Sequence, residues 1–256
     1  MNAGDFSELA EDYAKYRPDY SKVVLHALTR YVQTPGNSAD FLVADVGAGT
    51  GIWTKMLADH CLNCVAVEPN NAMRAQGAQY TQSTAIQWFA GAAEQTGLPS
   101  NSVNWVTMAS SFHWVQLPEA LTEFNRILKP EGYLTVLWNP RAIEENRLHE
   151  QIEKCIYDLI PNLSRVSSGS AKHSRRYDQE LVSTGAFRDV LFFEARHEII
   201  MSKTRYIGIW RSVNDIQRQA GPELFKEILV RISEIIGSQE QIVVPYKTRA
   251  WTAQRV

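Results

Sequence analysis

The segment Val43-Ala44-Asp45-Val46-Gly47-Ala48-Gly49-Thr50-Gly51 constrains the fold of this chain more than any other. An apolar run from Phe41 to Val46, which carries the acidic Asp45 at its end, meets glycines at every second residue, and the helix-patterned stretch Ile52-Trp53-Thr54-Lys55-Met56-Leu57-Ala58 follows. Buried strand, glycine turn and helix start form the first unit of a nucleotide-binding α/β sheet. Glycine there lets the backbone turn tightly and lets a ligand approach closer than any Cβ would permit. A glycine-rich surface turn without a ligand is the plainer alternative.

Spacing narrows the ligand. The dinucleotide pattern Gly-x-Gly-x-x-Gly counted from Gly47 puts its third glycine at position 52, where Ile52 stands. The glycine comes one place early, at Gly51, and Asp45 lies just ahead of the turn. A carboxylate is a poor neighbour for a pyrophosphate and a good one for a cation. S-adenosylmethionine carries a sulfonium and an ammonium and no phosphate, so it suits these residues better. The next apolar run, Cys64-Val65-Ala66-Val67, ends in Glu68-Pro69, at about the offset from which an acidic side chain reaches ribose hydroxyls. The structural alternative for Glu68 is a solvated loop carboxylate.

From these residues the chain resembles the class I S-adenosylmethionine-dependent methyltransferases of the methyltransferase type 11 style. The resemblance is carried by Asp45 to Gly51, by Val67-Glu68-Pro69-Asn70 with Met73, and by Gly91-Ala92-Ala93-Glu94 leading to Leu98-Pro99. It continues in Val106 to Trp114 and in Ile127-Leu128-Lys129-Pro130-Glu131-Gly132-Tyr133-Leu134, while Tyr13-Ala14-Lys15-Tyr16-Arg17-Pro18 looks like the opening of the trans-aconitate methyltransferase-like subgroup. It covers about residues 6 to 140, and the C-terminal third matches only in layout.

The resemblance implies an α/β, Rossmann-like, seven-stranded, mostly parallel sheet with helices on both faces and an antiparallel last strand at the sheet edge. It implies S-adenosyl-L-methionine as cofactor and S-adenosyl-L-homocysteine as product. Asp45, Gly47, Ala48, Gly49 and Gly51 would hold the methionine end, and Glu68 with Pro69 the ribose. Met73, Ala92, Ala93 and Glu94 would frame the adenine, with Ser110 also at the cofactor. Many relatives carry Asp at the position of Ala92, so one side-chain bond to the adenine amino group is missing here. Tyr16 and Arg17 would close over the cofactor. Alternatively they end a helix that Pro18 stops.

His113 is the candidate catalytic base, since it follows the fourth strand at the carboxyl end of the sheet, where open α/β folds bind ligands. Packing between Phe112 and Trp114 is its other reading. Tyr13, His113, Trp114, Trp138 and Asn139 are the candidate substrate contacts, with Pro140-Arg141 beside them. The loop Ser164–Tyr177, with Arg165, Lys172, His173, Arg175 and Arg176, is either a lid for an anionic acceptor or an ordinary solvated loop. Trp53, Trp114, Trp138 and Trp210 are wall candidates whose plainer role is core. The acceptor would be a small molecule, an O or N atom of a specialised metabolite, sugar or organic acid. Binding of the donor without transfer is the alternative, and a nucleotide-cofactor oxidoreductase is disfavoured by the glycine spacing.

Strands are expected near 41–46, 63–67, 86–90, 103–109, 133–138, 189–201 and 241–253. Helices are expected near 6–16, 20–33, 52–60, 70–79, 117–128, 144–159, 178–184, 203–217 and 222–236. Thr34 to Ser38 and Pro161 to Arg176 are expected as loops. One domain over 1–256 is expected, divided into an N-terminal helical lid (1–36), a cofactor core (37–140) and substrate-side helices with the final strands (141–256). The chain has 256 residues and a formal net charge of -2, which gives no broad nucleic-acid footprint. No apolar stretch reaches the roughly 20 residues a membrane span needs, and no signal peptide opens the chain, so a cytoplasmic location is expected. Cys61-Leu62-Asn63-Cys64 forms a C-x-x-C with no partner pair, and no metal site is expected.

Overall fold

A computed structural model describes residues 9–33, 40–165 and 177–256. The expected loop at 34–38 and most of that at 161–176 lie outside the described residues, as does the start of the first helix. Strands β1 (Leu42–Val46), β2 (Asn63–Val67), β3 (Gln87–Phe89), β4 (Val103–Ala109), β5 (Leu128–Trp138), β6 (Phe187–Ser202) and β7 (Gln241–Arg255) form one sheet in the order β3-β2-β1-β4-β5-β7-β6. β1 pairs in parallel with β2 and β4, β2 with β3, and β4 with β5. β7 runs antiparallel to β5, as expected of the last strand, and lies one place in from the edge, between β5 and β6.

The helices are α1 (Ala10–Tyr16), α2 (Lys22–Val32), α3 (Ile52–Asp59), α4 (Asn71–Tyr80), α5 (Leu117–Ile127), α6 (Arg147–Leu159), α7 (Asp178–Val182), α8 (Lys203–Arg211) and α9 (Asn214–Ile236). Two boundaries differ from the sequence reading. The helix expected over 203–217 ends at Arg211, because the Ser212 hydroxyl turns back onto the Ile209 carbonyl (2.7 Å). α9 then starts at Asn214, and the start expected at 222 is a break inside it, where Gly221 takes φ 70° ahead of Pro222. Proline denies the preceding residue the helical region, and glycine tolerates the left-handed alternative.

The chain divides into two units, each considered by itself. The sheet unit comprises Asp19–Trp138, Arg175–Ala195 and Thr248–Val256; the helical unit comprises Met1–Pro18, Asn139–Ser174 and Arg196–Lys247. In the sheet unit, strand side chains alternate between two apolar clusters, as a pleated backbone requires. Ala44, Val46, Val106, Met108, Leu134 and Val136 pack with Ala120, Leu121, Phe124 and Ile127 of α5. Val43, Cys64, Trp105 and Leu137 pack with Val24, Leu25 and Leu28 of α2 and with Trp53, Met56 and Leu57 of α3. The helical unit has its own core, in which Ile152 and Ile156 meet Tyr206, Ile209 and Trp210, the α9 isoleucines, and Ile242, Val244 and Tyr246.

Candidate methyl-donor site

The turn after β1 places Gly47, Gly49 and Gly51 at φ 66°, 57° and 81°. An L side chain is disfavoured at all three. A Cβ on Gly47 would also lie 2.7 Å from Ser111 Oγ. The amides of this turn face inward. Gly47 N–H and Ala48 N–H both donate to the Val67 carbonyl (2.8 and 3.1 Å), and Gly51 N–H donates to Ala48 O (2.9 Å). Gly49 N–H donates to Glu68 Oε2 at 2.8 Å. A phosphate cradle needs such amides pointing at the ligand. Here they are engaged by the protein, and a carboxylate stands against the turn.

Glu68 is thus the pivot of the site. Its other oxygen, Oε1, accepts from Asn70 N–H at 2.9 Å. The Asn70 side chain in turn caps α4 by accepting from Ala72 N–H and Met73 N–H. Burial pushes the Glu68 carboxyl above the usual range, while the amide bonds from Asn70 and Gly49 and the charge of Arg74 oppose that rise. Each carboxylate oxygen offers two lone pairs, so one on each remains to accept from vicinal hydroxyls. A ribose diol therefore fits this residue. Met73 Cε would lie 3.4 Å from a Cβ on Gly49, so Met73 borders the turn, whereas Pro69 is exposed.

Asp45 has a different position from the one expected. Its side chain has no exposure and lies between Thr54 Oγ1 (2.6 Å) and Thr107 Oγ1 (3.0 Å). Burial above all, with a smaller contribution from the charge of Glu68, raises its pKa to about 7 against the two threonine bonds. Sealed in this way, Asp45 ties α3 and β4 to the turn and presents no surface to a ligand. The burial has a plain cause: the alternation of β1 turns position 45 to the face covered by α2 and α3.

At the end of β4, Ser110 adopts φ 58°, a strained value for a residue with a Cβ. Its N–H donates to Leu137 O (2.7 Å), and its hydroxyl pairs with Tyr20 OH at 2.8 Å. Tyr20 also sets its ring edge-on to Trp53. Tyr20, Thr54 and Thr107 are the residues the sequence reading missed. Their partners lie up to 90 positions away, and no local spacing marks them.

His113 lies on a short 3-10 turn, Phe112–Trp114. Its Nδ1 accepts from Trp138 Nε1 at 3.4 Å. A neutral imidazole that accepts at Nδ1 carries its proton on Nε2. Trp138 in turn stacks on Tyr177, with centroids 4.2 Å apart and planes within 6°. Of the four tryptophans considered as walls, Trp53, Trp138 and Trp210 are buried and Trp114 is exposed.

On the adenine side, Ala92 and Gln95 exchange backbone bonds (3.1 Å each), so the Ala92 N–H is engaged as well as its side chain being non-polar. Ala93 is buried. Glu94 Oε1 accepts from Gln116 N–H at 2.7 Å, which fixes the entry to α5.

Tyr13, Tyr16, Arg17 and Asn139 belong to the helical unit. Arg17 leaves α1 with extended backbone ahead of Pro18, and its guanidinium stacks 4.7 Å from the Tyr13 ring centre. It donates from Nε to Ser212 Oγ (2.9 Å) and from Nη2 to Ser212 O (3.0 Å). Tyr16 fills the space left by Gly208, where a Cβ would lie 2.4 Å from its ring. Asn139 is buried. Arg165 donates to Glu153 Oε2 at 2.8 Å, and Lys172, His173, Arg175 and Arg176 lie outside the described residues. Cys61 and Cys64 are unbridged thiols, one exposed and one buried. Among the described residues, no three His, Cys, Asp or Glu side chains are grouped to hold a metal, and no helix is long and apolar enough to cross a membrane.

Comparison with known proteins agrees with this geometry. Residues 44–136 match the family model described as a methyltransferase domain. An uncharacterized methyltransferase of Mycobacterium tuberculosis is 40% identical over 100 residues, 39% of this chain and 40% of that protein. The chain therefore spans well under two thirds of that relative's length. A candidate type II methyltransferase from Anaeromyxobacter dehalogenans shares the fold with a TM-score of 0.64 at 19% identity, over 93% of this chain and 98% of that one. A Haemonchus contortus phosphoethanolamine N-methyltransferase, solved in complex with S-adenosyl-L-methionine, superposes with a TM-score of 0.54 at 12% identity, over 100% of this chain and 60% of that one. With the strand–glycine-turn–helix unit and the strand order described above, the match over residues 44–136 supports a class I S-adenosylmethionine-dependent methyltransferase domain in that part of the chain.

Proposed function

We propose that this protein transfers a methyl group from S-adenosyl-L-methionine to an oxygen or nitrogen of a small molecule. One observation carries the reading: Glu68 closes onto Gly49 N–H at 2.8 Å, so the turn offers a carboxylate where a pyrophosphate would need amides. A cationic, phosphate-free nucleoside suits such a turn. The bound donor would supply an activated methyl on sulfur. The chain's own contribution is alignment and exclusion of water.

In this reading Glu68 receives the ribose hydroxyls, and Gly47, Ala48, Gly49 and Gly51 shape the backbone at the methionine end. Met73, Ala93 and Glu94 border the base. Asp45 and Ser110 hold the turn in shape from behind. Arg17, bound to Ser212, is retained as a candidate contributor to donor affinity, to be tested by Arg17→Ala. His113 lines the acceptor side, with its Nδ1 engaged by Trp138 Nε1. The same bond favours the second reading, donor binding without transfer, because it occupies the nitrogen that a base would use. The cytoplasmic location, a small-molecule partner and one functional domain over 1–256 belong to the proposal, supported by the family and the modest net charge.

Calorimetric titration with S-adenosyl-L-methionine, S-adenosyl-L-homocysteine and NAD tests the site. Binding of the first two and not the third is expected, and preferred binding of NAD would overturn the assignment. Incubation with methyl-labelled donor and a metabolite panel then separates transfer from binding alone.

A further inference from the structure

The interior of the helical unit holds a set of buried polar atoms that the protein does not satisfy. Arg141, Arg165, Glu153 and Asp215 have side chains that are 8%, 2%, 12% and 6% exposed. Arg165 is well held, with Nη1 2.8 Å from Glu153 Oε2 and Nε 3.4 Å from Asp215 Oδ2. Arg141 is held loosely: its Nη2 lies 3.7 Å from Glu153 Oε1, and its Nη1 has no hydrogen-bond partner. The guanidinium is clamped in place, its centre 4.0 Å over the Trp210 ring and its backbone bridged to Tyr246.

Glu153 Oε1, Tyr206 OH and Trp210 Nε1 beside it also lack hydrogen-bond partners, and His149 and Tyr246 add further unmatched donors. His149 is 1% exposed, and neither ring nitrogen has a partner. Tyr246 is 3% exposed, and its hydroxyl has none. Burial and the neighbouring Arg141 charge depress the His149 pKa to about 3, so the ring stays neutral with one N–H to donate. Burial raises the Tyr246 hydroxyl's pKa, and the charges of Arg141, Arg17 and Arg205 pull against that rise, which places three guanidinium groups within electrostatic reach of it. Arg141 and Arg165 are the arginines paired with Glu153 and Asp215, and Arg17 and Arg205 add positive charge near Tyr246. Buried polar atoms are nearly always paired, and a cluster of orphans with donors in excess and surplus positive charge marks a place for a partner rich in acceptors.

We propose that the helical unit contains a binding site for a small oxyanion, a carboxylate or a phosphate, formed by Arg141 Nη1, Tyr246 OH and an N–H of His149. A guanidinium matches the paired oxygens of either group, and the two neutral donors fix its remaining lone pairs. The site stands on this unit alone and does not depend on the methyl-transfer reading.

The test is calorimetry on the full chain with inorganic phosphate and, separately, with malonate. Saturable binding of at least one anion at millimolar concentration is expected, and the preferred one identifies a tetrahedral or a planar ligand. Tyr246→Phe removes one hydroxyl while keeping the ring in the core, and Arg141→Met keeps the stem over Trp210. Each is expected to weaken binding at least about tenfold. The affinity for S-adenosyl-L-methionine, measured in parallel, should be unchanged in Tyr246→Phe. Absence of anion binding would mean that the orphan atoms are served by water and would overturn the site. So would wild-type anion affinity in both variants, or loss of donor affinity together with anion affinity in Tyr246→Phe.

Discussion

Replacing Asp45 with Asn should remove a pH-dependent instability built into the donor turn. The carboxyl is fully buried and its pKa stands at about 7 in place of 3.8. Between those values the folded chain keeps a proton on Asp45 that the unfolded chain has released. Stability rises with pH where the unfolded state binds more protons, so here the sign is reversed and stability falls. The contribution is fully present below the unfolded value of 3.8 and is lost as pH climbs through about 7. At about 1.4 kcal/mol for each pKa unit, the full loss is on the order of 4 kcal/mol. Asparagine resembles the protonated acid in shape: its carbonyl can accept from one of Thr54 and Thr107, and its amide can donate to the other. Urea unfolding of both proteins from pH 4 to 8 measures the effect. The wild type should lose up to about 4 kcal/mol relative to Asp45→Asn across that range, bending near pH 7. Parallel curves, or a wild type that gains on the variant as pH rises, would refute the buried-acid account.

Glu68→Gln turns an acceptor oxygen into an amide facing either Gly49 N–H or Asn70 N–H. It loses a charge-assisted bond worth about 1.5–3 kcal/mol, so calorimetry should show donor affinity weaker by tenfold or more. Unchanged affinity would take Glu68 out of the site. In Gly77→Ala the new Cβ would meet Trp88 Cη2 at 2.1 Å, and about 1–3 kcal/mol of stability should be lost to overpacking. Adding Trp88→Leu should recover part of it in denaturant titrations, whereas a neutral single variant would show that α4 yields without cost. Trp138→Phe removes the donor to His113 Nδ1, so nitrogen NMR should show one His113 tautomer in the wild type and a mixture in the variant. A mixture in both would show that the indole does not set the proton's position.

Much of the candidate donor site is readable from short stretches of chain. Gly47, Gly49 and Gly51 are constrained by their own φ values, and Glu68 meets Gly49 because consecutive parallel strands bring one strand end beside the next. Met73 follows from the Asn70 cap that starts α4. The fate of Asp45 was not readable in the same way. Its partners Thr54 and Thr107 are 9 and 62 positions away, and a carboxylate that is buried and one that faces a ligand look alike in the sequence. The role of His113 was ambiguous for the same reason, since its tautomer is set by Trp138, 25 residues on.

Strand–helix alternation and the glycine register therefore determined the sheet, its parallel pairing and the place of the glycine turn, because backbone sterics and hydrophobic period act over a few residues. The tertiary structure alone decided which acid is sealed away and which meets the turn, where the proton of His113 sits, and that Arg141, His149 and Tyr246 share one buried neighbourhood. Those outcomes depend on desolvation and pairing between residues far apart in the chain, and neither exists until the elements have packed.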